Sequence, residues 1–169
     1  DGVVAVWQRL PLHSAGVPLY RAMVAHFKPP EKGHRVIVFR SVAEVPAGFG
    51  PSVVAIGKFD GMHTGHRAVI DRARVDAAAV NGAVVAVTFD RHPLRYLRPE
   101  NCPEDVSSVD QKLALLAQAG VDATLVLSFD EALASLEPTE FVEQILVSAL
   151  HARTVLVGAD FRFGKGGAG

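Results

Sequence analysis

Cysteine is almost missing from the 169 residues: Cys102 stands alone, so no internal disulfide can form, and a reducing compartment is expected. Excess charge of either sign is missing too. The 17 Lys and Arg nearly cancel 18 Asp and Glu, leaving a formal −1. That argues against non-specific nucleic-acid binding or a polybasic membrane anchor. No apolar run exceeds five residues, so no segment reads as a bilayer-spanning helix, and no secretory signal is evident. Aromatic residues make up only 7%. What remains is the composition of a globular domain, 49% apolar and 21% charged, long enough to bury a core without staples. The expectation is a cytoplasmic domain with no nucleic-acid or membrane partner. The chain starts at Asp1 and stops in a glycine-rich loop, so a fragment is expected rather than a whole protein.

Residues 1–34 give a weak signal: Val3 to Trp7 suggests a short strand and Leu19 to Phe27 a short helix. From Arg35 the pattern becomes regular. Arg35 to Arg40 reads as a strand, and Val53 to Ile56 as a buried one. Gly65 to Asn81 carries Val69, Ile70, Ala73, Ala77 and Val80 at helical spacing, with Gly82 as the expected left-handed stop. Ala83 to Phe89 is a second buried-type strand. Val109 to Ala119 is a helix with Leu113, Leu116 and Ala117 on one stripe, and Ala123 to Phe129 is a strand. Pro138 to Leu150 is a helix facing Phe141, Val142, Ile145, Leu146 and Leu150 inward. Thr154 to Gly158 closes the series. Strands alternating with helices predict an α/β domain, a Rossmann-like parallel sheet with flanking helices.

Ligands of such sheets lie beyond the carboxyl ends of the strands, where three segments stand out. The first runs from Gly57 through Lys58, Phe59, Asp60, Gly61, Met62, His63, Thr64 and Gly65 to His66. Its glycines let backbone approach an anion, a helix N-terminus follows, and His63 and His66 can hydrogen-bond phosphate oxygens. The spacing is neither a P-loop nor G-x-G-x-x-G. His63, His66 and His92 are candidate zinc donors, but H-x-x-H at a helix start lacks i, i+4 geometry and no metal site is assigned. The second segment, Thr88 to Pro93, places Phe89, His92 and Pro93 as a flat, partly apolar wall, though an ordinary loop would read the same way. The third, Gly158 to Gly164, carries Asp160, Phe161, Arg162 and Phe163, suited to stacking and phosphate contact; the plain alternative is a flexible tail.

These segments resemble the N-terminal FMN adenylyltransferase (FAD synthetase) domain of prokaryotic bifunctional riboflavin kinase/FMN adenylyltransferases. The resemblance spans Arg35 to Gly169 and is carried by GKFDGMHTGH (57–66), TFDRHP (88–93), DQKLALLAQAGVD (110–122), FVEQILVSAL (141–150) and VGADFRFGKGGAG (157–169). H-x-G-H alone marks only the wider nucleotidyltransferase superfamily, including cytidylyltransferases and pantetheine adenylyltransferase. The resemblance implies transfer of AMP from ATP to FMN, with Mg²⁺, giving FAD and pyrophosphate without a covalent intermediate. It makes His63 and His66 catalytic. Gly57, Phe59, Asp60, Gly61, Gly65 and Asp160 fall on the ATP side; Phe89, His92, Pro93, Phe161 and Phe163 fall on the flavin side. Lys58 has no implied role. The family's Ser/Arg nucleotide motif and its riboflavin kinase barrel do not occur among the residues; Ser107-Ser108 is no substitute for the former. The domain is therefore expected to be incomplete, with a C-terminal riboflavin kinase domain in a longer protein. The alternatives are a non-catalytic nucleotide- or flavin-binding fragment, or another H-x-G-H cytidylyl- or adenylyltransferase.

Overall fold

The computed structural model describes residues 36–61, 64–105, 107–158 and 161–169. The expectations for Val3 to Trp7 and Leu19 to Phe27 lie outside them. Five strands form one all-parallel sheet: β1 (Ile37–Phe39), β2 (Ser52–Ile56), β3 (Ala83–Phe89), β4 (Ala123–Leu127) and β5 (Ala152–Val157), in the order β1-β4-β3-β2-β5. The central three are buried along their whole length, which is why they read as continuous apolar runs rather than alternating ones.

Side-chain alternation divides the core. Val54, Ile56, Val85, Val87, Leu125 and Leu127 face one layer, where Phe141, Ile145, Leu146 and Leu150 cover them. Val53, Ala55, Val84 and Ala86 face the other, covered by Val69, Ile70 and Ala73 of helix α1 (Thr64–Val80) and Leu116 of a later helix. Each fully buried Leu, Ile or Val contributes about 1.5–3 kcal/mol. Between β3 and β4 come the short α2 (Pro93–Leu97) and then α3 (Val109–Ala119). After β4 follow α4 (Glu131–Ser135) and α5 (Pro138–Phe141), the latter continued by a π-helical stretch, Val142–Ala149.

The path across the sheet explains this layering. From β2 the chain steps to β3 and then β4 in one direction; it then returns past both to place β5 on the far side of β2. Right-handed crossovers running in opposite directions put their helices on opposite faces. The direction reverses between β2 and β5, and that reversal opens a crevice at the strands' carboxyl ends.

Three local expectations need correction. Gly82 is not the left-handed stop of α1: Asn81 takes that conformation, with φ 51°. Glycine is required at 82 for closeness, because a Cβ there would stand 2.7 Å from the Pro51 carbonyl oxygen. Gly82→Ala is therefore expected to cost about 1–3 kcal/mol, seen as a lower urea midpoint; an unchanged midpoint would contradict the contact. Second, residues 142–149 are wound wider than an α-helix, with the Leu150 N–H bonded to the Ile145 carbonyl five residues back at 3.1 Å. The i, i+5 spacing of buried Phe141 and Leu146 suits that turn. Third, the inward stripe of α3 consists of Lys112, Leu115, Leu116 and Ala119, whereas Ala117 is exposed. Val80 of α1 is exposed as well.

Candidate active site

The loop leaving β2 is pinned to β3 before it turns. The Gly57 N–H donates to the Val87 carbonyl at 3.1 Å, and the buried Thr88 hydroxyl donates to the Lys58 carbonyl at 3.1 Å. Phe59 then adopts φ 50°, unusual for an aromatic residue, and only 1% of it is exposed. Its ring lies against Gly57, where a Cβ would be 3.4 Å away. On its other side the His66 ring stands 5.2 Å off, tilted by 59°. The loop is thus folded around a buried aromatic wedge that buttresses His66 at the first turn of α1. His63 lies outside the described residues, and so does Asp160.

Asp60 reaches the segment ahead of α3. Its Oδ1 accepts from the Ser107 backbone N–H at 2.8 Å and from the Ser107 hydroxyl at 2.7 Å. The Gly61 N–H in turn donates to Ser107 Oγ at 3.3 Å. The next residue, Ser108, caps α3 in a reciprocal capping box with Gln111. Ser107-Ser108 therefore braces the loop and starts a helix.

At the end of β3, His92 caps α2: its Nδ1 accepts from the Leu94 N–H at 3.1 Å. A neutral ring that accepts at Nδ1 carries its proton on Nε2. The Lys58 side-chain nitrogen stands 3.1 Å from that Nε2, a direct contact that ties the loop after β2 to the loop after β3. Burial, helped by the Lys58 charge, pushes the His92 pKa below the usual imidazole value and keeps the ring neutral. A cationic side chain held beside an imidazole in this way suits the neighbourhood of a phosphate oxygen. Pro93 is half-buried at the first position of α2.

Phe89 is a core residue, edge-on to Phe129 at 5.7 Å, with Tyr96 a further 6.1 Å from Phe129. Phe161 and Phe163 lie nearly parallel at 6.2 Å, and Phe163 packs on Phe141 at 5.5 Å. Both are half-buried against the sheet face covered by α5.

A cavity of about 430 Å³ opens beside the Asp60–Ser107 contact, lined by Asp90, Asp105, residues 107–109, Gln111 and Lys112. Sequence reading missed it. None of the flavin-side residues named above lines it, although the Phe89 carbonyl receives the Lys112 ammonium at 3.5 Å. Burial pushes the Lys112 pKa down, while Asp60, Asp105 and Asp90 pull it back up. The signal available was a lysine in the apolar register of α3.

Burial alone would raise the pKa of Asp90, but hydrogen bonds from the Arg91 side chain and the Phe129 N–H outweigh it and hold the carboxyl below its usual range. The folded chain then binds this proton less readily than the unfolded chain. The resulting stabilisation is present above about pH 4 and is lost as pH falls through the lower folded value. Asp90→Asn should flatten that acid limb in urea melts at pH 7 and pH 3. Equal acid sensitivity in variant and wild type would contradict the assignment.

Among the described residues no three His, Cys, Asp or Glu side chains group as metal ligands. An all-protein Mg²⁺ cage therefore does not fit these residues, whereas Mg²⁺ carried in on nucleotide phosphates needs none. Among them, too, no helix is long and apolar enough to cross a membrane.

A parallel α/β sheet with a glycine-rich loop and histidine at its switch point defines the Rossmann-like class. Within that class, the FAD synthetase family model matches residues 46–169, and the chain belongs to this family. It is 36% identical over 114 residues to the bifunctional riboflavin kinase/FMN adenylyltransferase of Escherichia coli K12, covering 68% of this chain and 36% of that protein. With the Bacillus subtilis protein of the same name it shares 34% over 119 residues, covering 70% and 37%. The chain thus spans about a third of the length of these curated relatives. Among solved structures, a macrolide-efflux protein from Streptococcus pneumoniae aligns with TM-score 0.65 and 26% identity, covering 76% of this chain and 43% of that one. That likeness supports the fold.

Proposed function

We propose that this chain forms the FMN adenylyltransferase unit of a bifunctional riboflavin kinase/FMN adenylyltransferase, transferring AMP from ATP to FMN. The observation that carries the reading is the meeting of two loops at the sheet's carboxyl edge. The first is the β2–α1 loop, buttressed by Phe59. The second is the β3–α2 loop with His92, and the 3.1 Å contact between Lys58 and His92 joins the two. A phosphate oxygen of FMN held there attacks the α-phosphorus of ATP. The new P–O bond forms as the bond to the β-phosphate oxygen breaks, and pyrophosphate carries away the electron pair. No side chain becomes covalently modified, so catalysis is positioning and charge stabilisation.

In this reading His66 and His63 donate to the ATP phosphates as charge shifts onto them. Gly57, Gly61 and Gly65 let backbone approach, Asp60 fixes the loop through Ser107, and Asp160 lies on the nucleotide side. His92 and Pro93 meet the flavin, while Phe89, Phe161 and Phe163 support its wall from behind. Mg²⁺ enters with ATP as the counter-ion of its phosphates. The riboflavin kinase partner named in the relatives supplies FMN from riboflavin in the longer protein.

The test is to incubate the chain, and the longer protein proposed to contain it, with MgATP or MgCTP and either FMN or pantetheine phosphate, and to follow FAD and pyrophosphate. FAD formation dependent on ATP and FMN is expected from the longer protein. Turnover of CTP or pantetheine phosphate instead, with no FAD, overturns the assignment. FMN binding by both proteins without turnover in either moves it to a non-catalytic flavin-binding module.

A further inference from the structure

Lys112 is the one feature of this region that the adenylyl-transfer reading leaves unused. It is only 8% exposed, yet it lines the cavity beside the Asp60–Ser107 contact. An ammonium carries three donors. Among the described residues, its hydrogen bonding amounts to one long contact, 3.5 Å to the Phe89 carbonyl. The neighbouring carboxylates are already engaged: Asp60 with Ser107, Asp90 with Arg91 and the Phe129 N–H, Asp105 with Arg95 at 3.1 Å. Burying a cation with spare donors is costly unless a partner arrives. The ammonium is therefore poised for an acceptor that enters the cavity.

The surroundings decide which acceptor. The lining holds two carboxylates, Asp90 and Asp105, fixed there by Arg91 and Arg95, which do not line it; an entering phosphate would meet both carboxylates at close range. A neutral, acceptor-rich ring edge does not suffer that penalty. Ser108 and Gln111 add hydroxyl and amide groups, and Val109 supplies the apolar surface. The pyrimidine edge of an isoalloxazine alternates carbonyl and imine acceptors with a single N–H donor. That pattern matches one buried ammonium flanked by hydroxyls, an amide and carboxylates.

Resting on the flavin reading above, we propose that Lys112 is a flavin-binding residue. Its ammonium donates to the carbonyl edge of the isoalloxazine ring, not to the FMN phosphate. The ring's pyrimidine end occupies the cavity at the start of α3, and the phosphate lies towards Lys58 and His92. Recognition of the flavin thus begins at a charged group inside an otherwise apolar helix stripe.

Fluorescence-quenching titrations with FMN and with riboflavin, which has the same ring and no phosphate, test this. For Lys112→Met, affinity for both flavins should fall together by about tenfold or more, with ATP affinity within twofold of wild type. Lys112→Arg should recover part of the loss. Urea unfolding shows that the methionine variant is folded, since removing a buried charge is not expected to lower stability. A loss confined to FMN would place Lys112 on the phosphate and overturn the proposal. So would flavin affinities in Lys112→Met equal to wild type, or a loss confined to ATP. A wild-type chain that quenches neither flavin fails the flavin reading itself, and this proposal with it.

Discussion

Replacing His66 by alanine is expected to lower FAD formation by at least about a hundredfold, the usual consequence of removing one preorganised donor to a reacting phosphate or oxyanion. The imidazole stands at the first turn of α1 with the Phe59 ring 5.2 Å away, and in the proposed role that packing spares it reorganisation as charge develops. The helix dipole left behind supplies only about 0.3–1 kcal/mol and cannot replace it. The loss should fall on kcat with little change in the KM for FMN, because the interaction strengthens as the leaving group departs. Steady-state assays, with unfolding midpoints as a folding control, measure this. Wild-type turnover in the variant removes His66 from the chemistry.

Phe59→Ala should have the largest effect on stability, about 3–5 kcal/mol, because the side chain is 1% exposed and nothing else occupies its place between Gly57 and His66. Against a total stability of about 5–15 kcal/mol that is a severe loss. Alanine also gains nothing from the left-handed φ of 50°, which the native chain tolerates for the sake of the buried ring. Urea unfolding should show a midpoint well below wild type, and Phe59→Leu an intermediate one. In variants that remain folded, turnover should drop with the freed His66. A midpoint matching wild type would sink the wedge role.

The sheet was readable because its strands are buried on both faces: Val53 to Ile56 and Ala83 to Phe89 are apolar throughout, and no loop chemistry competes with that signal. The loop after β2 was readable as a connection at the sheet's carboxyl edge, since glycine follows directly on a buried apolar strand. The cavity was not. Lys112 occupies an apolar register position of α3, and nothing local to a lysine marks it as buried. Ser107 shows no bracing role in the sequence because its partner, Asp60, is 47 residues away and the contact exists only once the sheet has formed. Gly82 was assigned the wrong reason: no local pattern reveals that the Pro51 backbone passes beside it. The left-handed turn fell to Asn81, a residue type that tolerates it. What escaped was whatever depends on a neighbour distant in sequence.

The Asp60–Ser107 contact has a thermodynamic side. It joins the loop assigned to ATP and the rim of the cavity assigned to the flavin through two hydrogen bonds on one carboxylate oxygen. Any free energy that passes through it is common to both ligands. The factor by which ATP tightens FMN must then equal the factor by which FMN tightens ATP. Ser107→Ala, which removes the hydroxyl and keeps the backbone bond, would shrink both factors equally.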